Sequence, residues 1–335
     1  MKRLITILLR LAERVPGLEV RLFCEPWQLK QIEGWNSYQT LDERAVLTRC
    51  AVQLPLQWSA DPRDYGDWLW RWHATFAAWD LATFDMVFSD NLIEPLVYTP
   101  RVILSGSFLW HDVLATAFPE YPAIQQYRQW AEELLRSQAP TMLVNRYFAM
   151  PATERHTRAV KIGFVSAYAG SPTTADPRFS RDVLIALGNT HAAEGLLTQL
   201  VEMLPSLRAQ RLRLWAAPRW QGALAAHHKD VRPYDFSRHR FQTVGLAIVR
   251  AGLGTIADCV AARIPMLYLE DRNPEIAFNQ IRLSELGIGL ALREAVGRAD
   301  VMGADVYSVI ADRFQDLRLT GDLEAADVLA RGWMN

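Results

Sequence analysis

Cysteine is scarce in this chain. Its 335 residues include three, Cys24, Cys50 and Cys259, set far apart and without a CxxC pair. That excludes a disulfide framework and fits a reducing compartment. No HExxH, paired-carboxylate motif or cysteine cluster has ligand spacing, so neither structural zinc nor any other metal is expected. Net charge is almost absent as well: 36 Lys and Arg against 37 Asp and Glu leave −1, which gives no global pull toward nucleic acid or anionic lipid. Long apolar runs are missing too. The run at 4–9 is far short of the ~20 residues that cross a bilayer, and no small-residue cleavage site follows it. A cytoplasmic protein is expected, with peripheral attachment to a membrane left open.

What the chain does have is apolar residues, half of the total, enough to fill two cores. Its length exceeds the usual size of one core, so two domains of roughly 150 residues each are the natural division. Residues 4–15 carry apolar side chains at helical spacing, and Pro16-Gly17 stops that helix before an alternating strand at 18–23. Residues 61–80 read as helical and hold Trp68, Trp70, Trp72 and Trp79, either a grip for an apolar or sugar-bearing acceptor or packing between layers. Strands are expected at 84–89 and 101–104, a helix at 122–138, a strand at 141–148, and a linker at 150–158.

The strand pattern then restarts at 160–165 and runs into a loop of small residues from Ser166 through Gly170. Helices are expected at 178–187 and 191–204, a strand at 212–216, an extended segment at 231–236 and helices from 299 onward. This gives an α/β protein with domains at 1–149 and 159–319, and a terminal helix at 320–335 that packs back on the first.

The stretch 243–270 organises the second half. Residues 244–249 are almost continuously apolar, as in a parallel strand covered on both faces, and Pro265 opens a second such run at 266–269. Between them, Gly252 and Gly254 are expected to make the turn and Thr255 to cap a helix whose amides face outward. A helix start placed there binds anions, because its free N–H groups and its dipole favour phosphate oxygens. Asn273 is expected to cap a helix over 274–286, with Pro274 in its first turn and Gly287 as its stop. In the first domain, Asp90, Ser105, Ser107, His111 and Asp112 follow predicted strands and are the polar residues placed to face a crevice. Each of them also has a capping or surface reading.

The segment AGLGTIADCVAARIPMLYLE followed by PEIAFNQIRLSELG resembles the carboxyl-terminal domain of GT-B glycosyltransferases of family 28, typified by the N-acetylglucosaminyltransferase of peptidoglycan synthesis. The resemblance covers residues 231–292 and implies two Rossmann-like domains facing a cleft. It also implies a hexosyltransferase with a nucleotide-diphosphate sugar, a UDP-sugar, as donor and no other cofactor. Ser166, Gly170, Arg250, Gly252, Gly254, Thr255, Asp258, Glu275 and Asn279 are then the donor-binding candidates. Gly252, Gly254 and Thr255 match the turn that meets the diphosphate. Asp258 stands where the family has a ribose-binding Glu, about 1.5 Å shorter in reach, and its spacing from Thr255 equally fits a capping box. Glu275 matches the acidic residue of the sugar-contacting element, although Ile276 replaces its Gln. Asn279 either binds the ligand or secures its helix, and Arg250 either approaches phosphate or forms a salt bridge.

Similar enzymes begin with a strand and a Gly-x-Gly-His loop. Here the residues from Arg3 onward resemble the helix that follows that loop, so the first domain is expected to lack its initial strand. Truncation, a misplaced start and loss of activity are the alternatives this leaves. Without that histidine, Asp90 and His111 are the candidates for a catalytic base. A nucleotide-sugar hydrolase or epimerase, and a non-catalytic nucleotide-sugar-binding partner subunit, are the competing readings. The acceptor is not identified.

Overall fold

The computed structural model describes residues 1–33, 35–52, 58–169, 181–188, 194–209, 212–228, 230–234, 241–296, 310 and 312–334. The chain folds as two units, Met1–Ala167 with Arg318–Asn335, and Tyr168–Leu317.

The first unit opens on helix α1 (Lys2–Ala12), which buries Ile5, Leu8 and Leu11, the face that its helical spacing dictates. That face shares a core with Ala325, Ala326 and Leu329 of the terminal helix Gly321–Met334. Arg10 to Asp322 (2.9 Å) and Arg14 to Asp327 (2.7 Å) pin the two helices together along their rims. The returning chain is clamped by backbone. Phe164 N–H donates to Arg318 O (2.8 Å) and Gly321 N–H to Phe164 O (3.1 Å). A Cβ at Gly321 would lie 2.2 Å from Gly163 O, so only glycine admits this approach.

Strands β1 (Glu19–Cys24) and β2 (Val46–Ala51) pair in parallel, Glu19 opposite Val46, as a sheet of their own. A second parallel sheet runs in the order β3 (Val87–Asp90), β4 (Val102–Gly106), β5 (Thr141–Asn145), β6 (Arg158–Ile162). Among the described residues β1 pairs only with β2, and β3 only with β4. Consecutive residues of both, Glu19–Cys24 up to Phe23 and Val87–Asp90 throughout, line one apolar slot of about 250 Å³ with Met1, Leu4 and Leu8. Because successive strand residues point to opposite faces, a slot touching all of them is met edge-on. The slot is thus bordered by two strand edges.

Helices α2 (Trp110–Ala117) and α3 (Pro122–Gln138) separate β4 from β5, and the short α4 (Pro151–His156) separates β5 from β6. Two expectations are corrected here. Residues 150–158 are not a linker, since they supply α4 and the start of β6. The strand expected to open the second domain is instead the fourth strand of the first unit, Thr141 lying opposite Arg158. A strand that simply follows a short crossover helix carries no mark in its sequence of which sheet it joins. Residues 61–80 form short 3₁₀ turns and one helix, Trp72–Ala77, rather than a continuous helix, because Pro62 and Gly66 interrupt it. One of their tryptophans is core, and the other three are half-buried against core residues. Trp72 is fully buried and lies 5.1 Å from Trp130, while Trp79 stacks on Phe23 at 4.3 Å.

The second unit is a parallel sheet of β7 (Asp182–Ala186), β8 (Arg213–Ala216), β9 (Arg232–Pro233), β10 (Leu246–Val249), β11 (Met266–Tyr268) and β12 (Gly289–Ala291), in the order β12-β11-β10-β7-β8-β9. Every residue of β7 and β10 is buried, as expected of inner strands covered on both faces. The helix expected over 178–187 is strand β7 where it is described. A short apolar run does not distinguish a buried strand from a buried helix by its periodicity. Helix α5 (Leu253–Ala262) follows β10, and α6 (Pro274–Glu285) follows β11. Most of the segment from 299 to 311 lies outside the described residues. Among those described, no helix is long and apolar enough to cross a membrane.

Candidate functional site

In the second unit β7, β8 and β9 run outward to one side and β10, β11 and β12 to the other. The strand order therefore reverses between the neighbours β7 and β10, and the crevice beyond their carboxyl ends is where a doubly wound sheet takes its ligand. The two ends are joined there, Arg250 N–H donating to Ala186 O at 3.2 Å. Helix α5 starts beside this join.

The turn into α5 is made differently from the expectation. Ala251 takes the left-handed conformation, φ 50°, whereas Gly252 is the N-cap with φ −73° and ψ 137°. The first intrahelical bond runs from Ile256 N–H to Gly252 O (3.0 Å), so Thr255 lies inside the first turn and is not the cap. With the cap three residues earlier, the Thr255–Asp258 capping box does not form, and Asp258 is a half-buried residue of the second turn.

Glycine is favoured at an N-cap, but neither backbone angles nor the described neighbours require it at Gly252 or Gly254. Among the described residues, a Cβ built at Gly252 or at Gly254 meets nothing within 4 Å, and neither residue has positive φ. The amides of Leu253, Gly254 and Thr255 stand in the first turn, where a helix offers its own N–H groups no acceptor. The result is an open ledge of backbone at the positive end of α5. Asn279, on α6, supports it. Its side chain is fully buried and its Nδ2 donates to Ala251 O at 3.0 Å, which identifies Asn279 as a residue that secures the turn.

Arg250 is tied into the same scaffold. Its Nε donates to Asp271 Oδ2 (2.7 Å), both side chains being largely buried, which is the salt bridge of its two readings. Asp271 Oδ1 accepts from Asn273 N–H (2.8 Å). Asn273 Oδ1 in turn accepts from Glu275 N–H (2.9 Å) and Ile276 N–H (3.3 Å), capping α6 as expected. Ile276 is buried, and Glu275 is half-buried in the first turn. Asp271 and Ala251 are the members of this scaffold that the sequence reading missed. Asp271, two residues before a cap, had a local signal in its Asx spacing, whereas an alanine in left-handed conformation had none.

The remaining candidates belong to the first unit or lie outside the described residues. Ser166 is buried and belongs to the first unit, and Gly170 lies outside the described residues. Asp90 ends β3, pairs with Arg3 and accepts from Ser105 Oγ at 3.1 Å. Burial pushes its carboxyl up, but Arg3 and the terminal amine outweigh that and hold it below the ordinary carboxylate range, so it is a poor proton acceptor. His111 is 1% exposed. Burial, with His156 adding to it, pushes its imidazole down to about 3. The expectation that His111 faces a crevice as a base is therefore corrected, because its apolar spacing neighbours Val113 and Leu114 draw that helix inward. Ser105 and Ser107 are buried with it, and Asp112 lies 3.8 Å from Arg155.

No family model matches the chain, and no curated protein does. Solved structures do. The glycotransferase of kitacinnamycin matches with a TM-score of 0.63 at 16% identity over 99% of this chain and 95% of its own. CalG4, the calicheamicin glycosyltransferase, matches at 0.61 and 14% identity over 98% and 93%. Medicago truncatula UGT71G1 complexed with UDP-glucose matches at 0.60 and 13% identity over 99% and 96%. These neighbours are GT-B proteins with two Rossmann-like domains, and the chain shares that fold.

Proposed function

We propose that the second unit binds a nucleoside-diphosphate sugar, a UDP-hexose, and that the protein transfers its sugar to an acceptor hydroxyl. The observation that carries this is the ledge at Gly252 and Gly254, two glycines that neither conformation nor packing among the described residues requires. A ligand that must approach the backbone closely supplies the missing reason. Diphosphate oxygens fit this role, since the first amides of α5 and its dipole hold negative charge without a lysine. Thr255 adds a hydroxyl donor, and Asp258, no longer needed as a cap, accepts from the ribose hydroxyls. Glu275 contacts the sugar. Arg250 and Asn279 act through the turn they position. As the bond to the sugar breaks, the same amides stabilise the charge that develops on the departing diphosphate. The UDP-glucose held by one structural neighbour favours uridine as the base, and the resemblance of residues 231–292 to family 28 favours a hexose or hexosamine.

A second reading is binding without turnover. The pairing of Asp90 with Arg3 and the burial of His111 favour it, because neither leaves a base for the acceptor. Calorimetric titration with UDP, GDP and TDP, followed by product analysis with UDP-sugars and a panel of acceptors, separates the readings. Saturable UDP binding with sugar transfer supports the first, and binding alone supports the second. A folded protein that binds no nucleotide would sink both.

A further inference from the structure

Three helices of the first unit bring a histidine, a glutamate and a second histidine to one point. His111 lies in the first turn of α2, Glu132 within α3, and His156 is the last residue of α4. One ligand atom from each lies within 4.8 Å of the others, and the two imidazole rings meet at 5.5 Å between centroids, nearly perpendicular. His111 is fully enclosed, and neither its Nδ1 nor its Nε2 has a hydrogen-bond partner among the described residues. A buried polar atom left in this way is destabilising and calls for an explanation, of which an ion is one. We propose that His111, Glu132 and His156 form a divalent transition-metal site, with zinc as the ion they suit best.

The donor set points to that class of ion. Two imidazole nitrogens and one carboxylate oxygen suit zinc and its borderline neighbours cobalt and nickel, whereas magnesium and calcium want oxygen alone. The geometry needs little adjustment. Ligand atoms at about 2.1 Å from zinc stand closer to one another than 4.8 Å, so each moves inward by at most roughly 0.7 Å. His156 and Glu132 are half-buried side chains with room for that rotation, and the enclosed His111 is the fixed point. Glu132 already has one oxygen engaged, Oε1 accepting from Arg128 Nε at 2.8 Å, which leaves its other oxygen for a metal. Three protein ligands leave a fourth position for water. The site joins α2, α3 and α4, the helices that connect β4 to β5 and β5 to β6, so its consequence is to lock these connections together. It stands independently of the donor-binding reading.

The test uses full-length, tag-free protein, stripped with a chelator and dialysed, then titrated with zinc sulfate and separately with cobalt chloride. One equivalent of zinc per chain is expected, with the visible absorption of a low-coordinate, nitrogen-bound cobalt ion and a zinc-dependent rise in melting temperature. Both His156→Ala and Glu132→Gln should weaken zinc binding about a hundredfold and abolish the thermal rise. These two positions are half-buried, so the test holds even where His111→Ala fails to fold. Binding of less than half an equivalent, or zinc affinity unchanged in both variants, would overturn the proposal.

Discussion

Asn279 donates from Nδ2 to the carbonyl oxygen of Ala251 at 3.0 Å, so a residue in the second turn of one helix fixes the entry to another. The left-handed conformation of Ala251 carries a steric cost for any residue with a Cβ, and this bond helps to hold it. Asn279→Ala leaves the Ala251 carbonyl without that donor in a buried place, and the loss should be about 1–3 kcal/mol of stability. Chemical denaturation measures that loss, and calorimetry should record weaker UDP binding in the same variant. If UDP binding survived unchanged, the ledge would not depend on the turn.

Gly254 allows stability and binding to be separated. The Cβ of a valine there meets nothing within 4 Å among the described residues, and glycine within a helix is itself unfavourable by about 0.5–1 kcal/mol relative to alanine. Gly254→Val should therefore melt no lower than the parent protein. If diphosphate lies on the ledge, the added methyl groups occupy its place, and UDP affinity should fall at least about tenfold, the effect of 1.4 kcal/mol. A variant as stable as the parent that binds UDP equally well would remove the ligand explanation for this glycine.

Glu94 gives the first unit a pH dependence of defined sign. It is fully buried, and burial pushes its carboxyl up, against the Tyr127 hydroxyl that donates to it at 2.7 Å. A raised folded value means that the folded state holds a proton which the unfolded chain has released. From the ordinary carboxyl value near 4.3 upward, stability contributed by this group is lost as pH rises through the folded value. Glu94→Gln removes the titration. Its advantage over the parent should be greater at pH 8 than at pH 5, as read from urea unfolding at the two pH values. An equal difference at both would show that Glu94 does not titrate in this way.

How far the sequence reveals this structure depends on whether the determinant is local. The α6 cap at Asn273 and its Pro274 were legible because a cap needs only its own neighbours. The α5 start is legible to its strand end but its cap is not, because glycines usually mark a turn and here Ala251 makes it. Strand β7 was misread because a short apolar run has no distinguishing period. The membership of β6 in the first sheet was not legible at all, being fixed by pairing with β5. Likewise, His111, Glu132 and His156 have no motif spacing and meet only because three helices converge.

The slot between β1 and β3 is the clearest case in which packing predicts a response. Both strands run parallel to their partners, so a strand placed between them would bond to both edges and merge the sheets in the order β2, β1, added strand, β3, β4, β5, β6. Met1 lines the slot, which allows such a strand to be supplied through a short glycine loop fused ahead of it. Five or six β-branched residues would bury about 1.5–3 kcal/mol each against an ordering cost of about 1–2 kcal/mol each, a net gain of a few kcal/mol. Hydrogen exchange should then slow in both Glu19–Cys24 and Val87–Asp90, with a higher melting temperature. A proline-substituted extension of equal length should produce neither effect, because it cannot donate to the edges. Protection gained at one edge alone would mean that the slot is too narrow to take a strand, and the two sheets would then be separate by construction.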